Sequence, residues 1–316
     1  IIIVNGEPNS VFLEIFFKSL KNKTYKSPII LISSLELLMA QMKKLKFKKK
    51  IRIINYENIK LSNLNNKSIN LINKKLNLID NLKKITNKSN SFIENSFNIA
   101  LQLIKLGITK KLINGPISKK SFLNKKYLGI TEYLAKKSNS KKIAMLIYNK
   151  ELSVCPITTH LPLKKVTKKI TKEKIYEKVY LINGFYKNFR NKIPKIAVLG
   201  LNPHCESVDK FNEDERIIKP AVKYLDKQGY NVSGPFPADT IFLKNNRKKF
   251  DVIIGMYHDQ VLTPLKTLYE YDAINITLGL PYIRISPDHG PNLEMIGKNK
   301  SNPKSLKNAI NFLDKI

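Results

Sequence analysis

Short apolar runs alternate with helical patterns along most of this chain, and that alternation restricts its fold more than any other feature. The strand-like runs are Ile1–Val4, Ile29–Ile32, Lys111–Ile113, Ala144–Tyr148, Leu152–Ile157, Ile196–Leu199, Val252–Gly255 and Ile274–Leu278. Of the helical stretches between them, Phe92–Leu106 is the clearest. Ser91 and Glu94 have the spacing of a capping box. Ile93, Phe97, Ala100 and Ile104 fall on one face, and Gly107 follows as a C-cap. Strands separated by helices predict an α/β fold with a largely parallel sheet. The stretch Leu61–Asn90 is rich in Asn, Lys, Ser and Leu, and loops are expected there. No internal repeat and no clean linker is present, so any two domains interleave.

With 316 residues, 42% of them hydrophobic, the chain can build one large or two ordinary domains. No apolar run is long enough to span a membrane. Ile1–Val4 reads as a first strand and not as a signal peptide, because the apolar run is short and Glu7 follows it. The chain begins without Met, and a few residues are expected to precede it. Two cysteines, Cys155 and Cys205, make no disulfide framework, which fits a reducing cytoplasm. The net charge of +33 would suit nucleic acid or an anionic surface. However, the excess is nearly all Lys, and Asn and Ile are abundant too. All three have AT-rich codons, so genome composition accounts for the bias. No aromatic-interleaved RNA motif and no zinc-finger spacing is present. The expectation is a solvated basic surface that attracts phosphorylated small molecules, with no specific nucleic acid and no membrane partner.

Three familiar nucleotide and hydrolase signatures are absent: G-x-G-x-x-G, G-x-x-x-x-G-K-[ST] and G-x-S-x-G. In their place stand segments rich in Gly, Pro and polar residues at the predicted strand ends. Among them are NGEP (5–8), INGPISKK (113–120), GITEYLA (129–135), TTHLPL (158–163), GLNPH (200–204), PADT (237–240), MYHDQVLTPLK (256–266), NITLGLPYIR (275–284) and SPDHGPNLEMIG (286–297). Such residues let the backbone turn sharply and approach a ligand. His160, His204 and His258, three of the four histidines, each follow a strand-like run. That position faces the crevice where open α/β sheets bind ligands. Three imidazoles at one point would leave coordination positions open, as a catalytic metal requires.

These segments, in this order, resemble the 4-hydroxythreonine-4-phosphate dehydrogenase family of pyridoxal phosphate biosynthesis, from Gly6 to about Gly297. The resemblance implies two interleaved α/β/α domains with a cleft between them, similar to isopropylmalate dehydrogenase. On that pattern residues 1–120 and 268–316 form the terminal, cofactor-side domain. Residues 121–267 form the central domain, on the metal and dimer side. The family is a homodimer with active sites shared between subunits. It oxidises the secondary alcohol of 4-phosphooxy-L-threonine with NAD or NADP. The resulting 3-oxo acid loses carbon dioxide to give 3-amino-2-oxopropyl phosphate.

Carried over position by position, His160, His204 and His258 match the metal ligands, the last of them serving the partner's site. Zinc, cobalt or magnesium would be the cation. Thr131, Lys266, Asn275 and Arg284 match substrate-binding positions; Lys and Arg suit a phosphate and a carboxylate. Asp239 and Asp259 are the acidic candidates, to orient an imidazole or take the hydroxyl proton. Asp239 also reads as a helix N-cap. Asp288, His289, Gly290 and Asn292 match the adenosine-binding loop of the isopropylmalate dehydrogenase class.

Two segments depart from the family. Ile130 stands where the family has the substrate-touching histidine of GHTE. Gly6–Glu14 reads GEPNSVFLE, without the second and third glycines of GEPAGIGPE. The lost histidine keeps a related substrate open, a 4-phospho-threonate or 4-phospho-erythronate. A reading from another class is a non-catalytic basic binding protein.

Overall fold

The computed structural model describes residues 1–76, 88–118, 122–123, 127, 129–208, 211–287 and 290–316. The chain forms two compact units. One comprises Ile1–Leu134 with Pro281–Ile316, the other Ala135–Leu280.

The first unit is a parallel sheet. Its strands run in the order Ile51–Ile53, Ile69–Asn73, Ile30–Ser33, Ile2–Val4, Lys111–Asn114 and Ile283–Pro287. The central strands carry no polar alternation because both faces are covered. Ile2, Ile3, Leu31 and Ile113 are all fully buried. Helix Phe12–Leu20 contributes Phe12, Phe16 and Phe17 to this core. Its buried Glu14 accepts from Lys18 at 2.9 Å and from the Ser301 amide at 2.7 Å, which ties the helix to the C-terminal segment.

The helix expected over 92–106 spans Lys88–Lys105. Ile93, Phe97 and Ala100 are buried as their spacing predicts, and Leu103 takes the last core position while Ile104 is half-buried. Gly107 has φ +75 and closes the helix, with Ile108 N–H donating to Leu103 O. The capping box does not form. Ser91 and Glu94 lie inside the helix, which starts three residues upstream of Ser91.

The second unit has the strand order Ile274–Leu278, Ala144–Tyr148, Ser153–Thr158, Val252–Tyr257, Ile196–Leu199 and Val232–Phe236. The first two pairings are antiparallel and the rest are parallel. Its core joins Val154, Leu199, Ile253, Val261, Leu262 and Leu265, so helix His258–Tyr269 packs directly on the parallel strands.

Four strands went unpredicted: Ile51–Ile53, Ile69–Asn73, Val232–Phe236 and Ile283–Pro287. Ile69–Asn73 falls within the stretch expected as loops, yet it is nearly all buried. The rest of that stretch over 77–87 lies outside the described residues. No helix among the described residues is long and apolar enough to cross a membrane.

Candidate functional site

The three histidines follow three neighbouring parallel strands of the second unit. Ser153–Thr158 pairs with Val252–Tyr257 in a register that sets Thr158 beside Tyr257. His258 is the residue after Tyr257, and His160 comes two after Thr158. The register therefore brings the two imidazoles together. Their ring centroids lie 5.7 Å apart, tilted by 40°. On the other side, Val252–Tyr257 pairs with Ile196–Leu199, which leads into the turn Pro203–Cys205 and His204. That turn is strained. His204 and Cys205 both adopt left-handed backbone, φ +54 and +63, which side chains with a Cβ disfavour.

His258 opens helix His258–Tyr269, and its Nδ1 lies 2.9 Å from Asp259 Oδ1. A carboxylate on Nδ1 fixes the tautomer that presents Nε2 as a lone-pair donor, the arrangement usual behind metal-bound histidines. One chain thus sets His160 beside His258, and the Asp259 contact suits His258 to ligate a divalent cation. His204 is exposed on its own turn. Among the described residues no three His, Cys, Asp or Glu side chains form a cluster that could hold a metal ion. One chain brings two of its three candidate imidazoles together.

Of the acidic candidates, Asp259 is exposed beside His258. Asp239 is exposed in the first turn of helix Ala238–Ile241, whose N-cap is Pro237, so Asp239 does not cap it. Lys266 is exposed on the same helix as His258, two turns on. Asn275 is half-buried in strand Ile274–Leu278. Its Oδ1 is enclosed without a hydrogen-bond partner among the described residues.

Arg284 and Thr131 meet in the first unit. Arg284 is fully buried in strand Ile283–Pro287. Its Nε donates to Asn114 Oδ1 at 2.7 Å and its Nη1 to Thr131 Oγ1 at 3.3 Å. Burial pushes the guanidinium pKa down to about 10, so it stays charged at neutral pH as a desolvated cation. Half-buried Ile130 precedes Thr131 at the start of helix Ile130–Lys137.

Of the cofactor candidates, Gly290 and Asn292 lie in the loop after Ile283–Pro287. Asn292 has φ +50, and its amide donates to Met295 Sδ at 3.0 Å. Asp288 and His289 lie outside the described residues. Pro291 O accepts the Val11 N–H at 3.1 Å, which joins this loop to the altered N-terminal segment. Val11 and Phe12, in place of small residues, are core there.

Several residues unmarked in sequence support this geometry. Asn114 fixes Arg284. Buried Asp214 accepts from Leu201 N, Asn202 N and Asn202 Nδ2 at 2.7, 3.1 and 2.8 Å, and so holds the loop that leads to His204. Gln260 bonds both that loop and the end of the His258 strand. The one available signal was Gln260's position directly after His258–Asp259.

Residues 24–313 match the family model described as pyridoxal phosphate biosynthetic protein PdxA. The chain is 45% identical over 203 residues to a 4-hydroxythreonine-4-phosphate dehydrogenase of Sulfurihydrogenibium sp. (strain YO3AOP1), covering 63% of this chain and 62% of the relative. Over 214 residues it is 35% identical to a D-threonate 4-phosphate dehydrogenase of Pectobacterium atrosepticum, covering 67% of this chain and 66% of that one. The chain thus spans less than two thirds of the length of such relatives by sequence match. A crystal structure of 4-hydroxythreonine-4-phosphate dehydrogenase from Klebsiella pneumoniae superposes with a TM-score of 0.84 at 28% identity, over 98% of this chain and 96% of that one.

Proposed function

Because this chain belongs to the PdxA family of pyridoxal phosphate biosynthetic proteins, we propose that it is a metal-dependent NAD(P)+ dehydrogenase of 4-phosphooxy-L-threonine. The 3-oxo acid formed then loses carbon dioxide to give 3-amino-2-oxopropyl phosphate. The observation that carries this reading is the placement of His160, His204 and His258 just beyond three neighbouring parallel strands, with Asp259 on the Nδ1 of His258.

When bound, a divalent cation supplies the Lewis acidity that lowers the pKa of the substrate hydroxyl, and the nicotinamide supplies the hydride acceptor. His160 and His204 of one chain, with His258 of a second copy, would hold the cation. Asp259 keeps His258 in its ligating tautomer. Lys266 and Arg284 pair with the substrate's phosphate and carboxylate, Arg284 by its planar fork. The enclosed Asn275 Oδ1 accepts a hydrogen bond from the substrate. Thr131 accepts from Arg284, which leaves its own hydroxyl proton for the substrate. Asp239 or Asp259 takes the proton of the reacting hydroxyl. Gly290 and Asn292 would serve the cofactor's adenosine end, in the segment whose sequence 288–292 matches the adenosine-binding loop.

A second reading keeps the chemistry and changes the substrate to a 4-phospho-threonate. Ile130 favours it, since an isoleucine offers no hydrogen bond to a substrate amino group.

The deciding experiment follows NAD(P)H formation by absorbance, with each substrate, with and without added divalent cation. Cation-dependent turnover of 4-phosphooxy-L-threonine is expected. Turnover of 4-phospho-D-threonate alone would replace the first reading by the second. No turnover of either, with cation bound, would sink both.

A further inference from the structure

We propose that Gln260 is a positioning residue that sets the His204 loop against the His258 turn and so tunes the cation sites to which these two histidines contribute. The proposal rests on the histidine site proposed above. Gln260 lies in the first turn of helix His258–Tyr269, two residues after His258. Its amide is used at both ends. Oε1 accepts the Met256 N–H at 2.7 Å, and Nε2 donates to Gly200 O at 2.8 Å. Met256 is two residues before His258, and Gly200 opens the loop that carries His204.

The same peptide segment is tied to the third histidine. Met256 O accepts from the buried hydroxyl of Thr158 at 2.8 Å, and Thr158 is two residues before His160. Three hydrogen bonds, through Thr158, Met256 and Gln260, therefore join the three segments that carry the histidines. Strand register alone would align the strands but leave the loops beyond them free to shift.

Local sequence makes room for this bridge. A Cβ at Gly255 would stand 3.0 Å from Gln260 Oε1 and collide with Val261 Cγ1. A Cβ at Gly200 would stand 2.6 Å from Cys205 Sγ and 2.7 Å from Asp214 Oδ1. Asp214 grips the amides of Leu201 and Asn202 from one side, while Gln260 holds the carbonyl of Gly200 from the other. Strained left-handed residues such as His204 and Cys205 persist only where their surroundings over-determine them. A glutamine suits the position because it alone carries an acceptor and a donor on one planar group of this length.

The test uses Co2+ as probe, read by equilibrium titration and by its visible absorption bands, on the intact protein. Gln260→Met keeps the shape and removes both bonds. Its Co2+ affinity should fall about 10-fold, the lower end of the loss seen when a ligand's own hydrogen-bond partner is removed, since Gln260 acts one step further back, with altered band positions. Gln260→Glu keeps the acceptor for Met256 and loses the donor to Gly200, so it carries the test if the Met variant does not fold. It too should bind Co2+ more weakly and with a changed spectrum, while circular dichroism and the unfolding midpoint report an intact fold. Wild-type affinity and spectrum in a folded variant would overturn the proposal and leave the histidine site standing. Failure of the wild-type protein to bind Co2+, or binding untouched by His160→Ala, would overturn the histidine site and this proposal with it.

Discussion

The buried guanidinium of Arg284 donates its Nε–H to the side-chain oxygen of Asn114 at 2.7 Å. Both residues are essentially inaccessible, at 0% and 2% exposure. They sit on paired parallel strands in which Arg284 faces Leu112, two residues before Asn114. The Asn114 amide is oriented by its Nδ2–H, which donates to Gly115 O at 2.8 Å, so the oxygen is turned to the arginine. Asn114→Leu would leave a buried cation short of an acceptor. That loss should cost about 2–3 kcal/mol, since a buried cation that loses a hydrogen-bond acceptor leaves its desolvation unrepaid. Urea unfolding would measure it, and a change under about 1 kcal/mol would show that Arg284 does not depend on Asn114.

Glu7 predicts a pH dependence of stability. It is fully buried, and burial raises its pKa from 4.5 to about 6, against the opposing hydrogen bonds from the Asn9 amide and the Ser89 hydroxyl. The folded state therefore holds the proton more tightly than the unfolded chain. The stabilisation is fully present below about pH 4.5 and is lost as pH rises through about 6. The loss amounts to about 2 kcal/mol over that window. Glu7→Gln should flatten this part of the stability profile and be the more stable protein at pH 7. Unfolding midpoints taken from pH 5 to 7.5 would reveal an unchanged slope if the argument is wrong.

The sequence carried most of the sheet because strands buried on both faces are continuous apolar runs, and eight were legible on that basis. The four that escaped each break that pattern in a different way. Ile69–Asn73 buries Asn70, which bonds Ile29 O and Asn65 O, so polar composition concealed a core strand. Ile283–Pro287 buries a whole arginine. Val232–Phe236 contains Gly234 and Pro235, which ordinarily mark breaks. Ile51–Ile53 lies at the sheet edge, partly exposed among lysines. Ser91 misled because its spacing to Glu94 has the form of a cap, while the helix continues upstream of it. At the site, the histidines were legible as residues that follow strands. What brings His160 to His258 is strand register, which no local pattern encodes. Asn114, Asp214 and Gln260 act through partners distant in sequence, so their importance could not be read from their neighbours.

The two thiols should be inert. Cys155 is fully buried, and desolvation raises its pKa to about 12. Burial also raises the pKa of Cys205, and nearby Asp214 adds to the effect. Thiolate is the reactive form, so iodoacetamide at pH 7.5 should leave both cysteines unmodified and any turnover unchanged over an hour. Rapid labelling of Cys205 in the native protein would show that its loop opens far more readily than its contacts suggest.

Asp259 separates stability from function. Its carboxylate lies 2.9 Å from His258 Nδ1, yet its side chain is 80% exposed. An exposed pair of this kind contributes at most about 0.5–1 kcal/mol to folding, so Asp259→Asn should barely shift the unfolding midpoint. Its effect on a cation held by His258 should be much larger. The carboxylate fixes the tautomer of the imidazole, and an amide does so only in one orientation. Divalent-cation affinity should fall about 10- to 100-fold, and cation-dependent turnover should fall with it at limiting cation and recover at saturation. Asp259→Ala should lose the contact altogether and show the larger drop. If Asp259→Asn bound cation as wild type does, His258 would not be a ligand held by this carboxylate. If its turnover stayed low at saturating cation with affinity intact, Asp259 would instead be the group that takes the substrate's proton.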